Sequence, residues 1–207
     1  SVNVMVIKLT IDGTEVKTEE GSTILKAALN AGIYIPALCY HPDLPPAPGL
    51  KSNESVYRGS EHIKSSAEDK NEYEGCKLCI VEIEGTAEFP LACNTPATEG
   101  MVVRTNTPQL LERRRDALAF ILAKHPHACL LCAEREGCTR EPCSLNVPVN
   151  ERCCPKLGNC ELQKVAEYVG IKEATPRYIF RALPTIKNEP LFNRDCNLCI
   201  GCNRCVR

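Results

Sequence analysis

The sequence predicts an α+β fold over its first half, followed by a small helical region and a cysteine-rich tail. Three observations carry this prediction. A strand hairpin, a helix and further short strands succeed one another up to Arg104; a well-marked helix opens at Thr107-Pro108; and 15 cysteines are distributed over 207 residues. An odd number of cysteines cannot all pair within one chain. The 25 Lys+Arg are met by 26 Asp+Glu, so no net positive charge is available to meet phosphates, which argues against a nucleic-acid binder. The start, Ser1-Val2-Asn3-Val4, alternates like a strand and unlike a signal peptide, and no apolar run approaches the ~18 residues of a membrane span. A reduced, cytosolic compartment is therefore expected. Cysteine clusters there read as metal-binding or catalytic before they read as disulfides.

Each element has its own signal. Val4 to Ile11, Asp12-Gly13 and Glu15-Val16-Lys17 read as a hairpin with an Asp-Gly turn. Ser22 is the expected N-cap of a helix over 23–31 that buries Ile24, Leu25, Ala28 and Leu29 and is stopped by Gly32. Ile80 to Glu84 and Met101 to Arg104 read as short strands with turns at Gly85 and Gly100. From Lys51 to Glu74 the composition becomes polar and charged in both signs, with no clear period, and predicts a mobile or extended surface loop. Thr107 caps a helix with Pro108 at its first position. Its apolar residues Leu110, Leu111, Leu118, Ile121 and Leu122 recur at helical spacing, and Pro126 ends it after His125. Arg113-Arg114-Arg115 lies in this helix and is expected on a solvated or salt-bridged face. Glu161 to Val169 is a short helix closed by Gly170, and Pro176 to Pro190 is an extended connector.

The cysteines fall into four groups. In the first, Cys39, Cys76, Cys79 and Cys93 are separated by 36, 2 and 13 residues. A close pair of thiolates on one loop, with two more arriving from flanking loops, can enclose a two-iron cluster, because each iron takes two soft sulfur ligands from the protein. A zinc ribbon is the competing reading, weakened by the wide, uneven spacing. The second group is His125, Cys129 and Cys132, where a helix-end imidazole and a loop of thiolates can converge. The third is Cys138, Cys143, Cys153 and Cys154, enough thiols for a further cluster or a structural zinc. Adjacent cysteines rarely both ligate one metal, so one of Cys153 and Cys154 is expected outside such a site. The fourth is Cys196, Cys199, Cys202 and Cys205. Its last three match three ligands of the bacterial ferredoxin pattern, whose fourth cysteine serves another cluster.

The stretches Ile35-Pro-Ala-Leu-Cys39-Tyr-His-Pro42, Cys76-Lys-Leu-Cys79-Ile-Val-Glu-Ile83, Leu91-Ala-Cys93-Asn-Thr-Pro96 and Glu99-Gly-Met-Val-Val103 closely resemble one ferredoxin-type family. It is the N-terminal iron–sulfur region of the large (G-type) subunit of NADH dehydrogenase (complex I), found also in NAD-linked formate dehydrogenases and iron hydrogenases. The resemblance implies three units: a β-grasp 2Fe-2S domain over 1–106 with an insertion at 51–74; a small helical 4Fe-4S domain over 107–170 with one histidine and three cysteine ligands and a Cys-rich insertion at 138–159; and, over 171–207, a connector and the start of a ferredoxin-like 4Fe-4S domain. It implies [2Fe-2S] on Cys39, Cys76, Cys79 and Cys93, and two or more [4Fe-4S] clusters. For the histidine cluster, Cys138 has the family's spacing, whereas Cys160, followed by Glu161-Leu162-Gln163, has its context. Cys160 is the expected ligand and Cys138 the alternative. Cys199, Cys202 and Cys205 form the last set, completed by Cys196 or by a residue beyond Arg207. The second of these is expected, with the 207 residues an ordered fragment of a longer polypeptide.

The function expected is therefore an electron-transfer subunit. It would relay electrons between a flavin/NAD(P)H-binding subunit and a further redox subunit, in a cytoplasmic hetero-oligomer or one held at a membrane through its complex, without inserting into the membrane itself. Two alternatives stand beside it: the N-terminal electron-input region of a catalytic subunit such as a formate dehydrogenase or iron hydrogenase, and a zinc-stabilised structural protein. No substrate site is visible in the sequence, and whether the chain is itself an enzyme stays open.

Overall fold

The computed structural model describes residues 5–51, 53–58, 60–64, 72–139, 141–187 and 190–207. Strands β1 (Val6–Ile11) and β2 (Thr14–Glu19) form the hairpin, with Asp12 and Gly13 at φ 48° and 81°. Two successive left-handed residues give the turn whose twist matches its flanking strands, which is why an Asp-Gly pair sits there. Val4, where the first strand was expected to begin, lies outside the described residues. Helix α1 (Ile24–Asn30) is capped by Thr23, whose hydroxyl accepts from the Lys26 amide at 3.3 Å, and not by Ser22. Ser22 is drawn away because its carbonyl accepts from the Ala97 amide at 2.8 Å. The one-residue shift turns Ala27 inward, and Leu29 is 43% exposed.

The strands expected after the insertion are present but short: β5 (Glu82–Ile83) and β6 (Val102–Arg104). Four strands make a mixed sheet in the order β2-β1-β6-β5, with β1 and β6 parallel and the other pairs antiparallel. The sheet and α1 enclose a first core of Leu9, Ile11, Val16, Ile24, Leu25, Val81 and Val103, all buried. This is the α+β arrangement of a ferredoxin-type domain. The segment expected to be a mobile or extended loop instead contains a hairpin, β3 (Ser55–Arg58) with β4 (Glu61–Lys64). Its base is tied by the Tyr73 amide donating to the Leu50 carbonyl at 2.7 Å and by the Gly49 amide donating to the Tyr73 carbonyl at 2.8 Å. The paired strands satisfy one another's backbone groups without an apolar periodicity in the sequence.

Helix α2 (Pro108–Leu122) begins as expected, with the Thr107 hydroxyl accepting from Leu110, and stops at the Ala123 cap, short of His125. Helix α3 (Glu161–Val169) closes at Gly170, whose left-handed φ of 80° favours glycine. Leu118, Ile121 and Leu122 of α2 and Leu162, Val165 and Val169 of α3 build a second core. Lys172 reinforces the helix pair by bridging Glu112 and Asp116, each at 2.6 Å. No described helix is long and apolar enough to cross a membrane.

The arginine run departs from expectation at its middle member. Arg113 stacks over Phe89 at 4.2 Å, and Arg115 donates to the Val169 carbonyl at 3.0 Å. Arg114, expected on a solvated face, is fully buried. Its guanidinium donates to the carbonyls of Leu78 (2.8 Å), Ile80 (2.7 Å) and Thr105 (2.7 Å). Those carbonyls lie beside Cys79 and just before α2, where neither sheet nor helix supplies them a donor. A planar fork of N–H groups reaches three acceptors at once, which an ammonium cannot. Arg114→Met should therefore strand all three carbonyls and cost about 3 kcal/mol or more, read as a fall in Tm, with Arg114→Lys intermediate.

Candidate iron–sulfur sites

The first four cysteines come together. Cys39 follows the segment leaving α1, Cys76 and Cys79 sit on the tight loop before β5, and Cys93 lies in the turn that pairs back on it. Cys39, Cys79 and Cys93 are buried and Cys76 nearly so. The loop is shaped by Gly75 at φ 84° and Lys77 at φ 57°. The left-handed φ of Gly75 favours glycine, and a Cβ there would come within 3.3 Å of Pro48, tighter than an ordinary contact. The Leu38 amide donates to the Cys76 sulfur at 3.4 Å. Leu38 and Leu78, each next to a candidate ligand, are buried in the second core, so the loop is wedged between the two cores.

The thiols hydrogen-bond as two pairs, Cys39 with Cys76 and Cys79 with Cys93, joined through Cys39 and Cys93. The Cys76 and Cys93 thiols hold Cys39 down at about 3. Cys93 likewise holds Cys79 down, while the neighbouring sulfurs and burial push Cys76 and Cys93 well up. Four buried sulfurs thus share protons, because four adjacent thiolates would repel one another; a cationic iron centre removes that conflict. Among the described residues no three His, Cys, Asp or Glu side chains close on a point where a single metal ion would sit. Two touching pairs are a donor set for two metals, and they fit a two-iron cluster.

At the end of α2, His125 is buried, and burial outweighs a backbone hydrogen bond at Pro126 to lower its pKa, leaving a neutral ring. Its Nδ1 is buried and has no hydrogen-bond partner among the described residues. Cys129 lies in a single 3₁₀ turn, Ala128–Leu130. Cys132 borders a cleft of about 580 Å³ lined by Arg135, Ala166 and Glu167. Cys160 is the N-cap residue of α3 and packs against the second core, as does Cys153. The Cys153 amide donates to the Cys129 sulfur at 3.2 Å. Cys138 is exposed; Cys143 and Cys154 are half-buried. The Cys143 sulfur accepts amides of Leu145, Asn146 and Val147, and these lower its pKa. Among the described residues no disulfide joins any of the cysteines.

The last cysteine loop folds back onto the first site. Arg207 donates to the carbonyls of Cys39 and Pro45. Arg204 donates to the Tyr40 carbonyl at 2.6 Å and pairs with Glu161 of α3 at 2.7 Å. Tyr73, at the base of the inserted hairpin, is half-buried, and its phenol pKa is raised by burial and by the nearby Cys39, Cys76 and Cys202 sulfurs. Cys196 opens a 3₁₀ turn, and the Gly201 amide points at the Cys199 sulfur at 3.4 Å. Cys199 and Cys205 are exposed and Cys202 half-buried. Sequence reasoning did not single out Tyr73, Arg204 and Arg207. They are distant in the chain from the site they serve, and no local pattern marks them.

A ferredoxin-type sheet with four converging thiols defines an iron–sulfur protein. Residues 5–46 and 50–108 match the 2Fe-2S iron-sulfur cluster binding domain. Over those residues the chain carries a domain of this 2Fe-2S family, and nearly its whole length is similar to a G-type subunit of NADH-quinone oxidoreductase and to a hydrogenase subunit. It is 35% identical over 204 residues to the second G-type subunit of the NADH-quinone oxidoreductase of Rhizobium meliloti (strain 1021), covering 97% of this chain and 18% of that protein. It is 33% identical over 201 residues to the NADP-reducing hydrogenase subunit HndD of Solidesulfovibrio fructosivorans, covering 96% and 27%. The chain thus spans about a fifth to a quarter of these relatives' length. Among solved structures it is similar to the NAD+-reducing [NiFe]-hydrogenase in the H2-reduced state, with a TM-score of 0.62 and 28% identity, covering 97% of this chain and 64% of that one.

Replacing Arg204 and Arg207 together by alanine should release the last loop. Amide exchange measured by mass spectrometry should rise in 196–207 and 39–46 and stay unchanged in α1.

Proposed function

We propose that this chain is an electron-relay unit, passing single electrons between a flavin/NAD(P)H-binding subunit and a further redox module of a multisubunit oxidoreductase. The observation that carries the reading is the paired convergence of Cys39, Cys76, Cys79 and Cys93 on a buried loop, in a domain of the 2Fe-2S family. These four residues would hold the two-iron cluster. Iron–sulfur clusters supply one-electron chemistry at potentials set by ligand type, hydrogen bonds to sulfur and burial.

The chain's own residues set those terms. Burial keeps water from Cys39, Cys79 and Cys93, and the Leu38 amide donates to Cys76. His125 and Cys129 anchor a four-iron site with further thiols from Cys132 and Cys160, Cys138 being the alternative to Cys160. A neutral imidazole in place of a thiolate removes one negative charge and raises that site's potential. Cys199, Cys202 and Cys205 contribute to a last site, completed by Cys196 or another ligand. Its loop is held by Arg204 and Arg207 against Tyr40 and Cys39 on one side and Glu161 on the other. The last cysteine loop thus lies against the first site on one side and against α3 on the other. The three cluster-bearing units are 1–106, 107–170 and 171–207. The chain matches a hydrogenase subunit as well as a G-type subunit of NADH-quinone oxidoreductase, and the relay role is common to both settings.

In protein assembled with iron and sulfide, Cys76→Ser or Cys79→Ser should abolish a two-iron EPR signal and leave four-iron signals in place. His125→Cys should keep its cluster but lower its midpoint in a redox titration. Colourless protein holding only zinc would overturn the relay reading in favour of a structural one.

A further inference from the structure

The insertion before α3 carries enough thiols for a site of its own, with Cys138 also open to the histidine cluster. One of them leaves that group. Cys153 lies 24 residues beyond Cys129 in sequence, yet its amide donates to the Cys129 sulfur at 3.2 Å, and its own thiol donates to the Pro126 carbonyl at 3.8 Å. The two thiols are also hydrogen-bonded to each other. Pro126 is the residue after His125, whose Nδ1 is buried with no partner among the described residues. A buried ring nitrogen left without a partner is costly, and the Cys153 thiol reaches the backbone carbonyl of the very next residue.

Soft sulfur beside a neutral imidazole is the donor chemistry of an iron–sulfur site. Cys153 also packs on the second core with Leu157 and Cys160, beneath the end of α2. Amide donation to a sulfur is also seen at the first site, from Leu38 to Cys76, and it stabilises a sulfur that carries negative charge. Adjacent cysteines seldom both serve one metal, and within the pair Cys153-Cys154 these contacts belong to the first member.

We propose that Cys153, returned by the insertion to the end of α2, is the fourth ligand of the cluster held by His125, Cys129 and Cys132, in the place given above to Cys160. The proposal rests on the relay reading above and assigns the insertion a part in that site, so that the 138–159 segment supplies a ligand and is not only an added loop.

The test uses the full chain assembled anaerobically with iron and sulfide. His125→Cys identifies the histidine site as the four-iron EPR signal whose g-values move. Cys153→Ser should remove that signal or shift its g-values, whereas Cys154→Ser leaves it as in the parent, and the two-iron signal reports in both that the first domain has folded. A histidine-site signal unchanged in Cys153→Ser overturns the proposal and leaves the relay reading standing. Absence of any four-iron signal in the parent protein overturns both. A second measurement needs no variant: Cys153 in the assembled protein should resist iodoacetamide until iron is chelated, as mapped by peptide mass spectrometry. Equal labelling before and after chelation overturns the assignment.

Discussion

The arrangement depends on one buried cation. Arg114 has no water around it and spends its fork on three backbone carbonyls, at Leu78, Ile80 and Thr105. Two of these flank Cys79, and the third lies in the link to α2. Burial works against the charge and lowers the Arg114 pKa, yet a guanidinium stays protonated at any ordinary pH. One side chain therefore binds the tight cysteine loop, the end of the sheet and the first turns of α2 into a single unit. Asp12 supports the same junction from the hairpin turn: its carboxylate accepts from the Thr105 amide at 2.7 Å and from the Thr105 hydroxyl. Thr107 adds a third tie by donating to Glu82 at 2.5 Å while capping the helix.

Through this junction the cores share structure that the sequence order keeps apart. Leu38 and Leu78 come from the first half but pack with Leu118, Leu122 and Leu162. Tyr34, after α1, meets Tyr168 of α3 edge-on, with ring centres 4.9 Å apart. Further along, Asn197 is buried and exchanges hydrogen bonds with Leu183 through both side-chain atoms, which fastens the connector to the final turn. The cysteine loops are thus positioned by side chains tens of residues distant from them.

Much of the first domain was legible because its signals are local. Asp12-Gly13 specifies a hairpin turn, Thr107-Pro108 a helix start, and Gly170 a helix stop, each through backbone geometry that few residues satisfy. The Cys76-Lys-Leu-Cys79 spacing likewise pointed to a ligand loop before any fold was known. What escaped was non-local or read with the wrong weight. Arg114 stands four residues from both Leu110 and Leu118, on the buried stripe of its helix; the periodicity held that information, but three consecutive arginines suggested a solvated face. The hairpin within 51–74 is stabilised by backbone pairing among polar residues, which leaves no apolar period to detect. Cys153 could not be distinguished from Cys154 without knowing which one turns toward Cys129.

The leucines beside the ligands also bear on speed. When a metal centre gains or loses an electron, the surrounding bonds and dipoles must readjust, and the energy of that readjustment slows the transfer. Cys39 and the Cys76–Cys79 loop each have a leucine anchored in a close-packed core, and Arg114 grips the backbone around Cys79. A loop held so tightly presents nearly the same sulfur positions to either charge state. In the relay proposed above, such packing would keep reorganisation low and let an electron move on with little driving force.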